Sequence, residues 1–246
     1  MSGHSKWATI KHKKAATDAR RGKVFTKLIR ELTIAARVGG ADPDSNPRLR
    51  TAISAAKNEN MPNDNIERAI KKGTGGGQAS NFEDLTYEIF GPHGVALLVE
   101  VSTDNRNRTA SEIRSLVTKS GGSLATQGSV SRLFHRKGQI ILSREAADED
   151  QLMELALEAG AEDFKAEPQG YEIITDPAHF EAVHKQLEAK GIKAEVAEIT
   201  ELPTVTVPLA GEPAAAALNK LIEAIEDHDD VKEVYSNAEF PDEALK

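Results

Sequence analysis

Apolar residues recur at intervals of three and four over the first third of the chain, which is the spacing of one face of an α-helix. The pattern predicts a helix over residues 15–38, ended by the glycine pair that follows. A second helix is predicted to start with Asn46 as its cap and Pro47 in its first turn, and to stop before residues 61–62. A third is predicted from about Asn63, with Gly73 as its stop. Three helices around one small core account for this part of the chain.

After Gly73 the pattern changes to strands that alternate with helices, across a glycine-rich link that predicts a domain boundary. A capping-box spacing predicts that the first helix of this part begins at Thr109, with Glu112 three positions on. The predicted elements up to residue 137 are strand Leu85–Phe90, hairpin turn 91–94, strand Val95–Val101, polar loop Thr103–Arg108, a helix ended by Gly121 and Gly122, and a strand near Ser129–His135.

Residues 138–200 show the order strand, helix, strand, strand, helix, strand, which is the ferredoxin-like plan. A strand at 204–207, a helix at 212–226 and a strand at 231–235 follow. Two strands are too few to bury one helix, so we expect this last part to join the strands of residues 95–135. The predicted fold class is α+β: an N-terminal three-helix basic domain, 1–77, then two ferredoxin-like α/β domains, one of which, 137–201, is inserted into the other, 78–136 plus 202–246.

Charge is distributed unevenly along this chain of net charge −8. Residues 1–77 hold 16 basic and 7 acidic side chains, whereas residues 78–246 hold 15 basic and 32 acidic ones. The cations are densest between Lys6 and Arg37, with ten Lys or Arg against two acids. This asymmetry is typical of a basic binding module on an acidic body, and it predicts a nucleic acid as the partner.

Several functional classes find no support in the sequence. The chain has no Cys, which excludes disulfides, thiolate metal sites and a cysteine nucleophile. It has no apolar run of the length that a membrane span needs and no signal peptide, so we expect a cytoplasmic protein. No phosphate-binding loop, zinc-protease or serine-hydrolase motif occurs, and acid pairs such as Asp229 and Asp230 are interpreted as helix ends and solvated turns. We therefore expect no catalysis, no metal and no cofactor.

Six runs carry a resemblance to a known family: GHSKW, RRGKVFTKLIREL, NPRLR, NMPNDNIERAIKKG, TDNRNRT and GGSLATQGSV. They resemble the YebC and PmpR family of bacterial regulators, to which a mitochondrial translational activator also belongs. The resemblance spans essentially the full chain. It implies three domains with a basic helical first domain and an insertion in the second. It also implies a role in gene expression through contact with nucleic acid, either as a DNA-binding transcription regulator or as a translation factor at the ribosome.

The candidate nucleic-acid contacts are mostly cations, which neutralise phosphates without reading sequence. Residues 1–14, before the first predicted helix, are predicted to form a polar arm that contains Trp7. Trp7 could stack on an unpaired base or anchor this arm onto the helices. The third helix could serve as a recognition helix or be one member of a simple helical pair. The loop at 103–108 could bind an anion or form an ordinary turn, and the family resemblance favours binding. The predicted contacts are Lys6, Trp7, Lys11, His12, Lys13, Lys14, Arg20, Arg21, Lys23, Lys27, Arg30, Lys71, Lys72, Arg106 and Arg108.

Three functions remain open from the sequence. The first is a DNA-binding transcriptional regulator of the YebC/PmpR type. The second is a ribosome-associated, RNA-binding translation factor that relieves slow peptide-bond formation. The third is a non-catalytic protein-interaction module whose basic face meets an acidic protein. DNA and RNA attract the same cations, so the charge pattern does not separate the first two.

Overall fold

The structure is a computed structural model, and it describes residues 24–75 and 82–241. Within these ranges the helices α1 to α7 occupy 24–39, Pro47–Asn58, Asn63–Thr74, Arg106–Lys119, Glu149–Glu158, Phe180–Ala189 and Glu212–Glu226. The strands β1 to β10 occupy Glu83–Phe90, Ala96–Thr103, Ser123–Leu124, Phe134–Ser143, Asp163–Glu167, Gly170–Thr175, Val196–Pro203, Val207–Pro208, Val231–Ser236 and Ala238–Glu239. The predicted α+β class, with helices first and two strand-bearing parts after them, is confirmed.

The first three helices share one core, as the apolar spacing predicts. Leu32 of α1 and Leu49 of α2 are both fully buried in it. Asn46 ties two of the helices together: its Oδ1 accepts from the N–H of Leu49 at 3.1 Å, and its Nδ2 donates to the carbonyl oxygens of Ala35 and Gly40 at 2.8 Å each. One side chain therefore caps the start of α2 and satisfies carbonyl groups at the end of α1.

Gly73 has a different role from the predicted one. It does not end α3, which continues to Thr74, but lies buried where α3 crosses α1. A Cβ at this position would lie 2.4 Å from the carbonyl oxygen of Thr33, closer than any contact allows. The glycine is needed because the two helix backbones approach closely, a requirement that no local pattern reveals.

The first sheet has the strand order β3-β1-β2-β9, with all neighbours antiparallel. The predicted hairpin at 91–94 joins β1 to β2 through a short 3₁₀ turn in which His93 and Gly94 have positive φ. Helices α4 and α7 pack on the face that carries Leu97, Val99 and Val101. The strand predicted at 204–207 is not part of this sheet; it begins later, as the two-residue β8, and pairs in parallel with β10.

The second sheet has the order β5-β6-β4-β7, again antiparallel, which is the ferredoxin-like arrangement. Its strand β4 is longer than predicted and merges two predicted strands, while a 3₁₀ turn occupies Ser131–Leu133. Phe134, at one end of β4, packs behind the first sheet, and Ile140 packs in the core of the second. Because one strand serves both cores, the domain limits given above stay a prediction.

No helix in residues 24–75 or 82–241 is both long and apolar enough to cross a membrane.

Candidate nucleic-acid interface

The predicted contacts divide into those that the structure describes and those that lie outside it. Among the described ones, Lys71 and Lys72 are exposed in the last turn of α3 and Arg106 is exposed in the first turn of α4. Lys27, Arg30 and Arg108 instead lie near acidic groups of the second part of the chain. The predicted contacts outside the described residues are Lys6, Trp7, Lys11, His12, Lys13, Lys14, Arg20, Arg21 and Lys23.

The polar side of α1 faces a cleft of about 700 Å³ between the helical domain and the first sheet. Lys27, Arg30 and Glu31 line it from α1. The opposite wall comes from the end of α7, the turn after it and the start of β9. We call its five carboxylates the acidic rim: Glu226, Asp227, Asp229, Asp230 and Glu233.

Arg30 makes the closest contact across this cleft. Its Nη1 donates to the carbonyl oxygen of Asp229 at 2.8 Å, and its Nη2 donates to Oδ1 of Asp230 at 2.6 Å and to the carbonyl oxygen of Ser102 at 3.2 Å. The guanidinium also lies 5.3 Å from the ring centre of Phe82, within the range of a cation–π contact. Arg30 is therefore held by groups of its own chain in this conformation.

Lys27 lies one turn before Arg30 and is half-buried. Burial lowers the pKa of its ammonium group, although Glu226 and Glu233 of the acidic rim act in the opposite direction. Carboxylates of the acidic rim thus lie near both Lys27 and Arg30.

A second ion-pair bridge crosses the cleft at the start of α2. Arg48 Nε lies 2.7 Å from Oε1 of Glu31, within the helical domain, and Arg48 Nη1 lies 2.8 Å from Oδ2 of Asp84 on β1. Lys232 of β9 lies 3.8 Å from Glu31 as well. The two walls are joined here by charges that stay partly exposed to solvent.

Asp230 is the central acceptor of the site. It lies in a turn, as predicted, but the expectation that it is solvated is wrong. Its side chain is 2% exposed and accepts from Thr109 Oγ1 at 2.5 Å, from Arg108 Nη2 at 2.8 Å and from Arg30. Burial opposes ionisation, but these three donors outweigh it and hold the pKa of the Asp230 carboxyl far below its ordinary value.

The same contacts explain why the predicted start of α4 is wrong. The helix begins at Arg106 with Asn105 as its cap, whose Oδ1 accepts from the N–H of Arg108 at 3.1 Å. Thr109 is fully buried and donates to Asp230, so it has no capping role. The TDNRNRT run therefore supplies the end of a strand, a cap and two donors to one buried carboxylate.

The turn that carries Asp230 is fixed to α4 by a further contact. The N–H of Asp230 donates to Nδ1 of His228 at 3.1 Å, and His228 Nε2 lies 2.8 Å from Oε2 of Glu112 on α4. An accepting Nδ1 leaves the ring proton on Nε2, which donates it to Glu112. Asp230 is thus anchored to the body of the protein by its backbone as well as by its side chain.

The Asp230 cluster predicts a specific dependence of stability on pH. Because the pKa of this carboxyl is lowered by folding, its contribution is complete above the unfolded value of about 3.9 and is lost as the pH falls below it. We expect Asp230→Asn to lower the free energy of unfolding at pH 7, and the difference from the unsubstituted protein to shrink at pH 3. Urea titrations at both pH values measure this.

The exposed α5 residue Asp150 provides the matched control for that measurement, since Asp150→Asn makes the same change of charge outside the Asp230 cluster. A difference for Asp230→Asn that stays constant or grows between pH 7 and pH 3 would contradict the assigned ionisation.

Within the described residues no group of three or more His, Asp or Glu side chains is placed to hold a metal ion. Arg68 on the outer side of α3 bonds to Asn65 and to the carbonyl oxygen of Asp64. The recognition-helix interpretation of α3 stays a prediction.

Comparison with known proteins covers nearly the whole chain. The model of the TACO1/YebC N-terminal domain matches residues 5–76, and that of the TACO1/YebC second and third domain matches residues 82–238. A probable transcriptional regulatory protein of Desulforapulum autotrophicum is 56% identical over 243 residues, which are 99% of this chain and 98% of that protein. One from Citrifermentans bemidjiense is 54% identical over 246 residues, covering 100% of this chain and 99% of the relative.

A solved structure agrees with this assignment. The crystal structure of a conserved hypothetical protein from Aquifex aeolicus superposes with a TM-score of 0.77 at 48% identity, covering 92% of this chain and 93% of that one. The resemblance inferred from the six sequence runs is confirmed, and the chain belongs to the TACO1/YebC family.

Proposed function

We propose that this protein regulates gene expression by binding nucleic acid through its basic helical domain, with duplex DNA as the target. The observation that carries the proposal is the separation of charge: 16 basic against 7 acidic side chains in residues 1–77, and 15 against 32 in the remainder. A polyanion is attracted to the first region and repelled by the second. The names of the relatives, probable transcriptional regulatory proteins, support the same class of function.

The proposed interface combines the cationic arm with exposed cations of the described residues. Lys71 and Lys72 project from the last turn of α3, and Arg106 projects from the first turn of α4. These side chains neutralise phosphates and set the position of the protein on the duplex. The exposed polar positions of α3 then face the groove in the proposed complex, where base edges are accessible to side chains. No catalytic step is part of the proposal.

The experiment that tests this proposal is crosslinking of the protein in cells, followed by sequencing of the attached nucleic acid. Enrichment of promoter fragments is the expected result. Predominant recovery of ribosomal or transfer RNA would replace DNA as the target and favour a translation factor at the ribosome. Recovery of neither, together with crosslinks to an acidic protein, would overturn the proposal and favour a protein-interaction module.

A further inference from the structure

The two walls of the cleft carry opposite charge, so a polyanion would be attracted to one wall and repelled by the other. On one side, Lys27 and Arg30 belong to the basic helix α1. On the other side, the acidic rim presents carboxylates to the same two cations. An acidic segment that lies on a cationic face occupies the positions that phosphates would take, so the two are mutually exclusive partners for these side chains.

When the hydrogen bonds and ion pairs across the cleft break, most of the charged groups involved keep another partner of opposite charge. If α1 moves away, Asp230 loses Arg30 but keeps Arg108 and Thr109, both on its own side. Arg48 likewise loses Asp84 but keeps Glu31 within the helical domain. A buried carboxylate without donors would make opening very costly, and the retained partners avoid that cost.

The cations and the Arg48–Asp84 bridge across the cleft are accessible to salt, whereas the side chain of Asp230 is 2% exposed. The side chain of Arg30 is 27% exposed, and those of Arg48 and Asp84 are 29% and 50% exposed. An ion pair as exposed as Arg48–Asp84 contributes modestly to stability and is screened by salt. Apolar residues also line the cleft, among them Ile34 and Val231, which are both buried and whose burial adds to the stability of the closed arrangement.

From these contacts we infer that the observed conformation is a closed, self-inhibited state in which the acidic rim occupies the cationic face of α1, and that nucleic acid binds by displacing it. The inference rests on the proposed function and adds a mechanism of regulation to it. Phosphates take over Lys27 and Arg30 in the open state, and Asp230 stays on the body with Arg108 and Thr109. Because only open molecules bind, the apparent association constant is the intrinsic constant of the open state multiplied by the fraction of molecules that are open.

Substituting the carboxylates that pair with Arg30 and Arg48 tests this inference, because it leaves in place every cation that is proposed to bind nucleic acid. Asp230→Asn weakens the contact to Arg30, and Asp84→Asn weakens the exposed bridge to Arg48 together with the interactions of Asp84 with Ser102 and Lys232. Asp150→Asn on α5 is the matched control, since it changes the net charge equally away from the cleft. We expect each bridge variant to bind a 20-base-pair duplex about fivefold more tightly than both the control and the unsubstituted protein.

A distance measurement on the full chain reports opening directly. The chain has no Cys, so Ser54→Cys on α2 and Ser115→Cys on α4, both exposed, accept a donor and an acceptor dye at defined places. We expect energy transfer to fall when the duplex binds, and to be lower in Asp230→Asn than in Asp150→Asn before any duplex is added. If Asp230→Asn does not fold, Asp84→Asn carries the same comparison.

The outcomes separate this inference from the proposed function. Duplex binding with unchanged energy transfer, and equal affinity of the bridge and control variants, would overturn the closed state and leave the proposed function standing. Absence of any binding to duplex or to single-stranded RNA at low salt would overturn both. Tighter binding by the bridge variants, with a fall in energy transfer, would support both.

Discussion

Changing Lys11, Lys13, Lys14 and Arg21 to Glu is expected to weaken binding of a DNA duplex by about 100- to 1,000-fold at 0.15 M salt. A phosphate that the protein no longer contacts keeps its condensed counterion, so the favourable release of that ion is lost. At this salt concentration the loss costs roughly fivefold in affinity per contact. The four residues lie in the densest run of cations in the chain. Fluorescence anisotropy with a labelled duplex measures the loss, and far-ultraviolet circular dichroism checks that the fold is kept.

The control for this variant changes charge equally at another place. Lys119, Lys190, Lys193 and Lys220 are exposed on the acidic body, and their change to Glu alters the net charge by the same amount. We expect this control to weaken binding less than about fivefold, since its charges lie outside the proposed contacts. Equal losses in the two variants would show that total charge, and not the run of cations at positions 11–21, determines affinity.

The second large effect concerns stability and Glu88. This carboxylate on β1 is buried, and it accepts from the backbone N–H groups of Gly128, Val130 and Ser131 at 2.6, 2.5 and 3.0 Å. Burial opposes its ionisation, but the three donors outweigh this and lower its pKa. Glu88→Ala leaves these donors without an acceptor, and we expect it to lower the free energy of unfolding by about 3 kcal/mol.

Urea denaturation at pH 7 measures the cost of Glu88→Ala, with Glu83→Ala as the control because Glu83 is exposed on the same strand. We expect the control to change stability by less than about 0.5 kcal/mol. Because the pKa of Glu88 is lowered, the difference between the unsubstituted protein and Glu88→Ala should decrease below about pH 4. A cost below about 1 kcal/mol at pH 7 would mean that water replaces the carboxylate at these donors.

Local sequence patterns predicted the helices and the inserted sheet well. The helix predicted at 212–226 has the same limits in the structure, and Asn46 caps α2 as expected. These features depend on side-chain periodicity and on a cap three residues from its donor, which are visible within one short window of sequence. The ferredoxin-like order of β4 to β7 follows from the order of those windows.

The features that the sequence did not predict depend on distant parts of the chain. Gly73 looks like a helix stop, and only the position of Thr33 on another helix shows why it must be glycine. The separate strands predicted on either side of residue 137 form one strand, in which Gly138 leaves room for the side chains of Thr175 and Phe180. Close packing between elements overrides the local signal in both cases.

In the candidate site, too, some features are visible in the local sequence and others depend on residues far apart in the chain. The concentration of cations is a property of composition, so the basic domain could be recognised from the sequence alone. The pairing of Arg30 with Asp230 joins residues 200 positions apart and leaves no periodic signal. Asp230 and Thr109 were consequently misinterpreted, as a solvated turn and as a helix cap, although both are buried in one cluster.

The central claim, that nucleic acid is held by the basic domain through its phosphates, is tested most directly by the salt dependence of binding. The logarithm of the association constant for a duplex is measured against the logarithm of salt concentration, for the full chain and for the variant with Glu at positions 11, 13, 14 and 21. We predict a steep negative slope for the full chain that becomes shallower by about 3 to 4 in the variant. A slope near zero for the full chain, or one that the variant leaves unchanged, would contradict the claim.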